Sequence, residues 1–70
     1  MTKHDLKLSL AQRIAEEMKD RRMSQTATAT LIGISQPRVS DIVNLRLDRF
    51  SVDSLLDVAL GLGVLVRVRF

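Results

Sequence analysis

Apolar residues recur at helical spacing along most of the chain and alternate near its end. Over residues 6–21 they fall within one arc of a helical wheel with polar residues opposite, which is typical of a helix that buries one face. Shorter helical patterns follow at residues 25–32 and 36–44, and a fourth begins after Ser51. From residue 64 to residue 70 the period changes to two, which predicts a half-buried strand. The fold is therefore expected to be mostly α, with four helices and a short C-terminal β-strand.

Residues that favour helix ends separate these segments. Ser24, Ser35 and Ser51 each precede a helical pattern, where a hydroxyl can accept a hydrogen bond from a free backbone N–H. Gly33 follows the second pattern, and glycine tolerates the positive φ that a helix end often requires. Pro37 falls in the first turn of the third helix, where its missing N–H costs little.

The start of the first helix has two interpretations. The polar segment of residues 1–5, which contains the chain's one histidine, His4, is expected to lie outside the helix. A start near Leu6 follows from the apolar pattern, whereas Ser9 and Gln12 have the spacing of a capping box and would start the helix later.

The fourth helix has an apolar arc of about 200°, which is wider than one core contact requires and predicts a second buried surface. The strand after it has no partner strand in the sequence, although its backbone groups need one. Pairing of two copies across a two-fold axis would bury the apolar arc and would also give the strand a partner. The alternatives are a tail that folds back or stays in solvent, or pairing with a different protein. The predicted dimer-interface residues are Val58, Leu62, Val64, Val66, Val68 and Phe70.

Composition limits the class of protein. Seventy residues without a linker or repeat make one domain, here residues 1–63 followed by a dimerisation strand over residues 64–70. No cysteine and one histidine are present, so no disulfide, metal site, cofactor or enzymatic activity is expected. The most apolar stretch, residues 55–66, is shorter than the roughly 20 residues of a membrane span, and a cytoplasmic location is predicted. The net charge of +3 is compatible with a nucleic-acid partner.

Residues 25–44 have the spacing of a helix-turn-helix motif. The pattern is Gln25-x3-Ala29-x3-Gly33-Ile34-x4-Val39-x2-Ile42. A small residue where two helices cross, a glycine in the turn and apolar anchors on the second helix are what this packing requires. A purely structural helical hairpin is the alternative, but the polar start of the second helix favours DNA binding.

In such a motif the second helix enters the major groove with its N-terminal residues on base edges. Arg38 has an alternative, an ion pair with Asp41 one helical turn later. The predicted base-reading residues are Gln36, Pro37, Arg38, Ser40 and Asn44. The predicted phosphate contacts are Ser24, Gln25, Ser35, Arg46 and Arg49, with a solvated charged loop as the alternative for the two arginines. Arg67 and Arg69 are expected to keep a strand edge soluble.

These motifs resemble the XRE/Cro-C1 class of helix-turn-helix proteins. Residues 32–40 (IGISQPRVS), 49–52 (RFSV) and 62–64 (LGV) resemble its HigA-like antitoxin and regulator branch more narrowly. Thr28 departs from the pattern, since many members have Leu or Ala there. The resemblance implies a lambda-repressor-like domain of four to five helices that represses its own operon as a homodimer on a palindromic double-stranded DNA operator. It also implies a RelE- or HigB-like toxin partner; a toxin-sequestering module with weak or no specific DNA binding is the alternative.

Overall fold

Four helices make up the part of the chain that the structure describes, residues 1–64. In this computed structural model they span Lys3–Asp20 (α1), Gln25–Ile32 (α2), Gln36–Val43 (α3) and Val52–Gly61 (α4). The predicted mostly helical, four-helix fold is confirmed. Residues 1–64 contain no strand, and the predicted strand lies outside the described residues except for its first residue, Val64. None of the four helices has the length and apolar character needed to cross a membrane.

The first helix begins earlier than either interpretation of its sequence. Thr2 and Asp5 form a capping box, in which the backbone N–H of each donates to the side chain of the other at 3.1 Å. This pair satisfies two backbone donors that a helix start leaves free. His4 consequently lies within α1, and Ser9 is an interior residue rather than a cap.

The three serine caps and the glycine at the end of α2 match the sequence prediction. The hydroxyls of Ser24, Ser35 and Ser51 accept hydrogen bonds from the backbone N–H three residues later, at 3.0, 3.4 and 3.0 Å. Gly33 ends α2 with φ at 83°, and its N–H donates to the carbonyl of Ala29 at 2.8 Å. These local bonds fix where α2 ends and α3 begins.

The core lies between α1, α3 and α4, with α2 packed on α3. α4 uses most of its wide apolar arc inside the chain: Leu55, Val58, Ala59 and Leu62 are all buried. The prediction of a second buried surface on α4, against another copy, is therefore wrong for most of the arc, because α1 and α2 of the same chain cover it. The buried apolar residues are Leu10, Ala11, Ile14, Met18, Ala29, Val39, Ile42, Leu47, Phe50, Leu55, Val58, Ala59, Leu62 and Val64.

Three of the predicted dimer-interface residues belong to this core. Val58, Leu62 and Val64 are only 4%, 0% and 6% exposed within a single copy, so a partner cannot reach their side chains in this conformation. The N–H of Val64 donates to the carbonyl of Ala59 at 2.9 Å and ties the end of the described chain to α4. Leu60 is the residue of α4 whose apolar side chain remains largely in solvent, at 57% exposure. Val66, Val68 and Phe70 lie outside the described residues.

Candidate nucleic-acid interface

The unit formed by α2 and α3 has the packing that the residue spacing predicted. Ala29 is buried where α2 meets α3, and Val39 and Ile42 anchor α3 with 1% and 0% exposure. The N–H of Ile34 donates to the carbonyl of Ala29 at 3.1 Å just after Gly33, which closes the turn. The turn holds the N-terminus of α3 at the surface, since Ser35, like the two residues after it, is exposed.

A hydrogen bond joins the first residues of α2 and α3. The side-chain amide of Gln36 donates through Nε2 to Oε1 of Gln25 at 2.7 Å. Gln36 keeps its carbonyl oxygen and one N–H for another partner, and Gln25 keeps its own amide N–H groups. The side chain of Gln36 is exposed, yet Gln25 restricts its orientation.

The exposed side of α3 carries uncharged polar groups. Gln36, Ser40 and Asn44 recur every four residues and share one side of the helix. Asn44 donates through Nδ2 to the carbonyl of Ser40 at 2.9 Å and to its hydroxyl oxygen at 3.3 Å. The amide oxygen of Asn44 and the hydroxyl hydrogen of Ser40 remain free to bond elsewhere. Pro37, also exposed, adds an apolar surface beside them.

Arg38 does not pair with Asp41, the alternative considered from the sequence. Its guanidinium carbon lies 3.9 Å from the ring centroid of Phe50, and Nη1 donates to the carbonyl of Arg49 at 3.4 Å. Asp41 instead pairs with Arg46, whose Nε lies 3.4 Å from the carboxylate. Arg38 is therefore half-buried against the segment between α3 and α4.

That segment, residues 44–51, is here called the connector. Arg46 and Arg49, the predicted phosphate contacts, are exposed on it, and Arg46 has a side-chain exposure of 66%. Together with Asp41 and Asp48 they line a shallow cleft of mixed charge. Ser24 and Ser35, also predicted to contact phosphate, use their hydroxyl oxygens as helix caps but retain the hydroxyl hydrogens.

Three features of this surface were not predicted from the sequence. They are the Gln25–Gln36 hydrogen bond, the stack of Arg38 on Phe50, and the positive φ of Leu45 at 59°. The first two join residues far apart in sequence, and the third places a non-glycine residue where glycine is usual.

The described residues offer no obvious site for a metal ion. Residues 1–64 contain no group of three or more metal-binding side chains. Every buried side-chain nitrogen or oxygen in the same part of the chain has a hydrogen-bond partner, so no orphaned buried group there points to a missing ligand. The chemistry of this surface is hydrogen bonding and charge.

Two comparisons with known proteins give matches that span this surface. Residues 2–70 match a family model described as a helix-turn-helix domain. The fold is also similar to a solved structure described as an XRE family transcriptional regulator, with a TM-score of 0.90 and 34% sequence identity over 97% of this chain and 76% of that one. No curated protein matches the sequence significantly. Both likenesses cover nearly the whole chain rather than α2 and α3 alone.

Proposed function

The chain belongs to the helix-turn-helix domain family as an XRE-type member, and from this premise we propose that it is a DNA-binding transcriptional repressor that reads an operator with α3. The exposed N-terminus of α3 enters the major groove, where each base pair presents a different set of donors and acceptors. The connector and the start of α2 lie on the flanking phosphates.

The observation that carries this proposal is the oriented amide of Gln36. One of its N–H groups is held by Gln25 at 2.7 Å, which leaves an N–H donor and a carbonyl acceptor. Adenine presents the complementary pair, the N7 acceptor and the N6 donor, in the major groove. Holding the amide in place before binding lowers the entropy lost when it meets a base.

The remaining groups on the same side of α3 extend the reading surface. The free amide oxygen of Asn44 accepts a hydrogen bond and the Ser40 hydroxyl donates one, and Pro37 offers apolar contact to a thymine methyl group. These three residues and Gln36 are the base-reading set that we propose.

Phosphate contacts come from two places. Exposed Ser24 and half-buried Gln25 sit at the N-terminus of α2, where the helix dipole favours an anion. Arg46 and Arg49 supply positive charge from the connector, and Ser35 supplies a hydroxyl hydrogen. Such contacts fix the position of the protein on the duplex without reading its sequence.

The proposal is tested by fluorescence anisotropy with the duplex upstream of the chain's own coding region and a random duplex of equal length. We expect tighter binding to the upstream duplex. Gln36→Ala is expected to reduce this preference about 5- to 150-fold for each copy bound, the equivalent of the roughly 1–3 kcal/mol that one bidentate base contact supplies.

Gln12→Ala is the matched control, because Gln12 is an exposed glutamine of α1, outside the α2–α3 unit. Its affinity for both duplexes is expected to equal that of the wild type. Equal binding of the wild type to both duplexes would contradict the repressor function, and an unchanged preference in Gln36→Ala would remove Gln36 from the reading set.

We also propose that the repressor is a homodimer on a palindromic operator. Exposed Leu60 supports this, because it lies near the end of α4 and precedes the alternating apolar sequence of residues 64–70 by four residues in the chain. An apolar side chain 57% in solvent gains from burial against a second copy. Two copies would present their reading helices about 34 Å apart, one turn of B-DNA.

Sedimentation velocity of the wild type, Leu60→Glu and a variant without residues 65–70 tests the dimer. The wild type is expected to sediment as a dimer and both variants as monomers. Leu6→Glu is the control, since Leu6 is an exposed leucine on α1 and its change is expected to leave the dimer intact. A wild-type monomer at every concentration would overturn the proposal.

The resemblance of residues 32–40 to the HigA-like branch supports a narrower role, an antitoxin-type regulator of its own operon. Co-expression with the product of a neighbouring small basic reading frame tests it. A complex that suppresses ribonuclease activity supports this role, whereas separate elution of the two proteins contradicts it. Suppression without operator binding would indicate a toxin-sequestering module.

A further inference from the structure

Arg38 occupies the first turn of α3 but turns away from the groove-facing side. Its backbone N–H donates to the Ser35 cap, while its guanidinium covers the ring of Phe50 at 3.9 Å. The same guanidinium donates to the carbonyl of Arg49 at 3.4 Å. One side chain therefore joins the start of α3 to the end of the connector.

We propose that Arg38 is a positioning residue, which holds Arg49 at the phosphate backbone while Gln36 meets the bases, and that Arg38 does not itself read a base. This inference rests on the DNA-binding function proposed above. It assigns a task to a residue that sequence reasoning placed among the base readers.

Phe50 provides a fixed platform for this contact. The residue is 3% exposed, and its backbone N–H donates to the carbonyl of Leu47 at 3.0 Å. Leu47 is itself buried in the core. Packing in the core thus fixes the position of the ring, and through the ring it also fixes the position of the Arg38 guanidinium.

A guanidinium suits the task better than an ammonium group. Its planar face stacks on an aromatic ring while its edge donates hydrogen bonds, whereas the compact ammonium of lysine does not combine the two. Arg38→Lys therefore keeps the charge at this position but loses the stack and the bond to Arg49.

Base reading and the proposed role differ in where the guanidinium lies when DNA is bound. A positioning residue stays on Phe50 and the carbonyl of Arg49, whereas a base reader turns an edge with two N–H groups to guanine. The two roles therefore predict different effects of the same substitution.

The first test measures the salt dependence of binding to the duplex that the wild type selects from a random pool. The slope of log affinity against log salt reports how many phosphates the protein neutralises. Arg38→Lys retains its own charge, so a shallower slope reports the loss of another contact, that of Arg49. We expect Arg38→Lys to bind about 5- to 30-fold more weakly at about 0.15 M salt, the loss of one phosphate contact from a monomer or from each copy of a dimer, and to show the slope of Arg49→Gln.

The double variant Arg38→Lys/Arg49→Gln is expected to match Arg49→Gln alone in slope and affinity, because both changes remove the same contact, that of Arg49 with phosphate. The selected sequence is expected to stay the same. A general loss of stability would not change the slope, so the slope separates positioning from a purely structural role. Arg13→Lys, an exposed change on α1, is the matched control and should bind like the wild type.

Two results would overturn the inference. One is a changed preference at a single base pair of each half-site in Arg38→Lys, which identifies a base reader. The other is an affinity and a slope equal to those of the wild type in Arg38→Lys, which would mean that the contacts of Arg38 do not position Arg49.

The second test follows the Nε–H resonance of Arg38 by NMR in the wild type. The ring current of Phe50 shifts this resonance away from that of Arg13, which is exposed. We expect the shift to persist with the selected duplex and with a random one. Movement to the position of the Arg13 resonance on binding would overturn the inference. If the wild type selects no sequence, the proposed repressor function fails, while the persistence of the shift on a random duplex still decides the role of Arg38.

Discussion

Thr28 shows how one hydroxyl is accommodated in an aliphatic core. It is completely buried, and Oγ1 donates to the carbonyl of Ser24 at 2.9 Å. That carbonyl also accepts the backbone N–H of Thr28 at 3.0 Å. The residue therefore satisfies its own polar group within α2, which explains why threonine fits where many members of the resembled class have Leu or Ala.

Thr28→Val is expected to change the free energy of unfolding by less than about 1 kcal/mol, because the carbonyl of Ser24 keeps its backbone donor when the hydroxyl is lost. Thr28→Ser retains the hydroxyl but removes a buried methyl group and is expected to cost about 1 kcal/mol. Urea unfolding of both variants measures the difference. A greater loss in Thr28→Val than in Thr28→Ser would show that the hydroxyl matters more than the packing.

Single residues with short-range roles were the most predictable part of the chain. Ser24, Ser35, Ser51 and Gly33 act on backbone groups within a few residues, so their types and positions suffice to assign them. The contact of Arg38 with Phe50 depends on how the connector returns to α3, and no local pattern specifies that return. The base-reading and phosphate contacts themselves stay predictions.

At the scale of the element, α1 shows that a polar N-terminal segment can still be helical. Hydrogen bonds from the backbone N–H and the side chain of Thr2 lower the pKa of the Asp5 carboxyl below its ordinary value of 3.8. Thr2 and Asp5 have the spacing of a capping box in the sequence. The apolar pattern begins only at Leu6, however, and so it does not indicate a helix start at Thr2. A helix start fixed by capping alone is easily missed by an argument from hydrophobic periodicity.

The pH dependence of this cap follows from the sign of the shift. Because the folded-state pKa is lowered, Asp5 stabilises the folded state above its unfolded pKa of about 4 and loses this effect as the pH falls through the folded value. We expect the backbone amide resonance of Thr2 to shift over that acidic range and the first turn of α1 to fray. Asp5→Asn is expected to abolish this shift; its persistence there would assign it to another group.

The end of α3 is strained at Leu45. This residue has φ at 59°, and the N–H of Arg46 after it donates to the carbonyl of Asp41 at 2.8 Å. The left-handed conformation closes the helix at a cost to any residue with a Cβ atom. The connector therefore begins at a position where side-chain type affects stability.

Leu45→Val is expected to lower the free energy of unfolding by roughly 1–2 kcal/mol, because a β-branched residue resists a positive φ. Leu45→Gly is the matched variant and is expected to be more stable than Leu45→Val, since glycine adopts this conformation freely. Thermal unfolding followed by circular dichroism compares them. Equal stability of the two variants would mean that the backbone relaxes at residue 45.

For the whole molecule, charge is distributed so that DNA attraction is moderate. The net charge is only +3, and Asp41 and Asp48 lie beside the two connector arginines. A dimer would bring four such arginines to the phosphates, two from each copy. Most of the discrimination is then left to the uncharged groups of α3.

This distribution predicts a shallow salt dependence. With four phosphates neutralised by a dimer or two by a monomer, the slope of log affinity against log salt is expected to be about −4 or about −2, respectively. Anisotropy titrations over a series of salt concentrations measure it. A slope near zero would contradict phosphate contacts by the connector arginines.

The number of helices and the helix-turn-helix unit followed from the sequence because each helix buries one periodic face. The width of the arc on α4 was interpreted as a second interface, yet α1 and α2 of the same chain cover most of it. Periodicity shows that a face is buried but not what buries it. That information depends on how the helices pack in three dimensions.

The burial of Val64 determines where this domain can be truncated. The residue follows Gly63, which has φ at 79°, and it belongs to the buried core with 6% exposure. A fusion protein or minimal domain that ends at residue 63 would lack this side chain and leave a cavity in the core, whereas one that ends at residue 64 would retain it. The end point of the folded helical domain is thus set by packing at residue 64, the first residue of the alternating sequence pattern, whereas residues 65–70 belong to the proposed dimer contact.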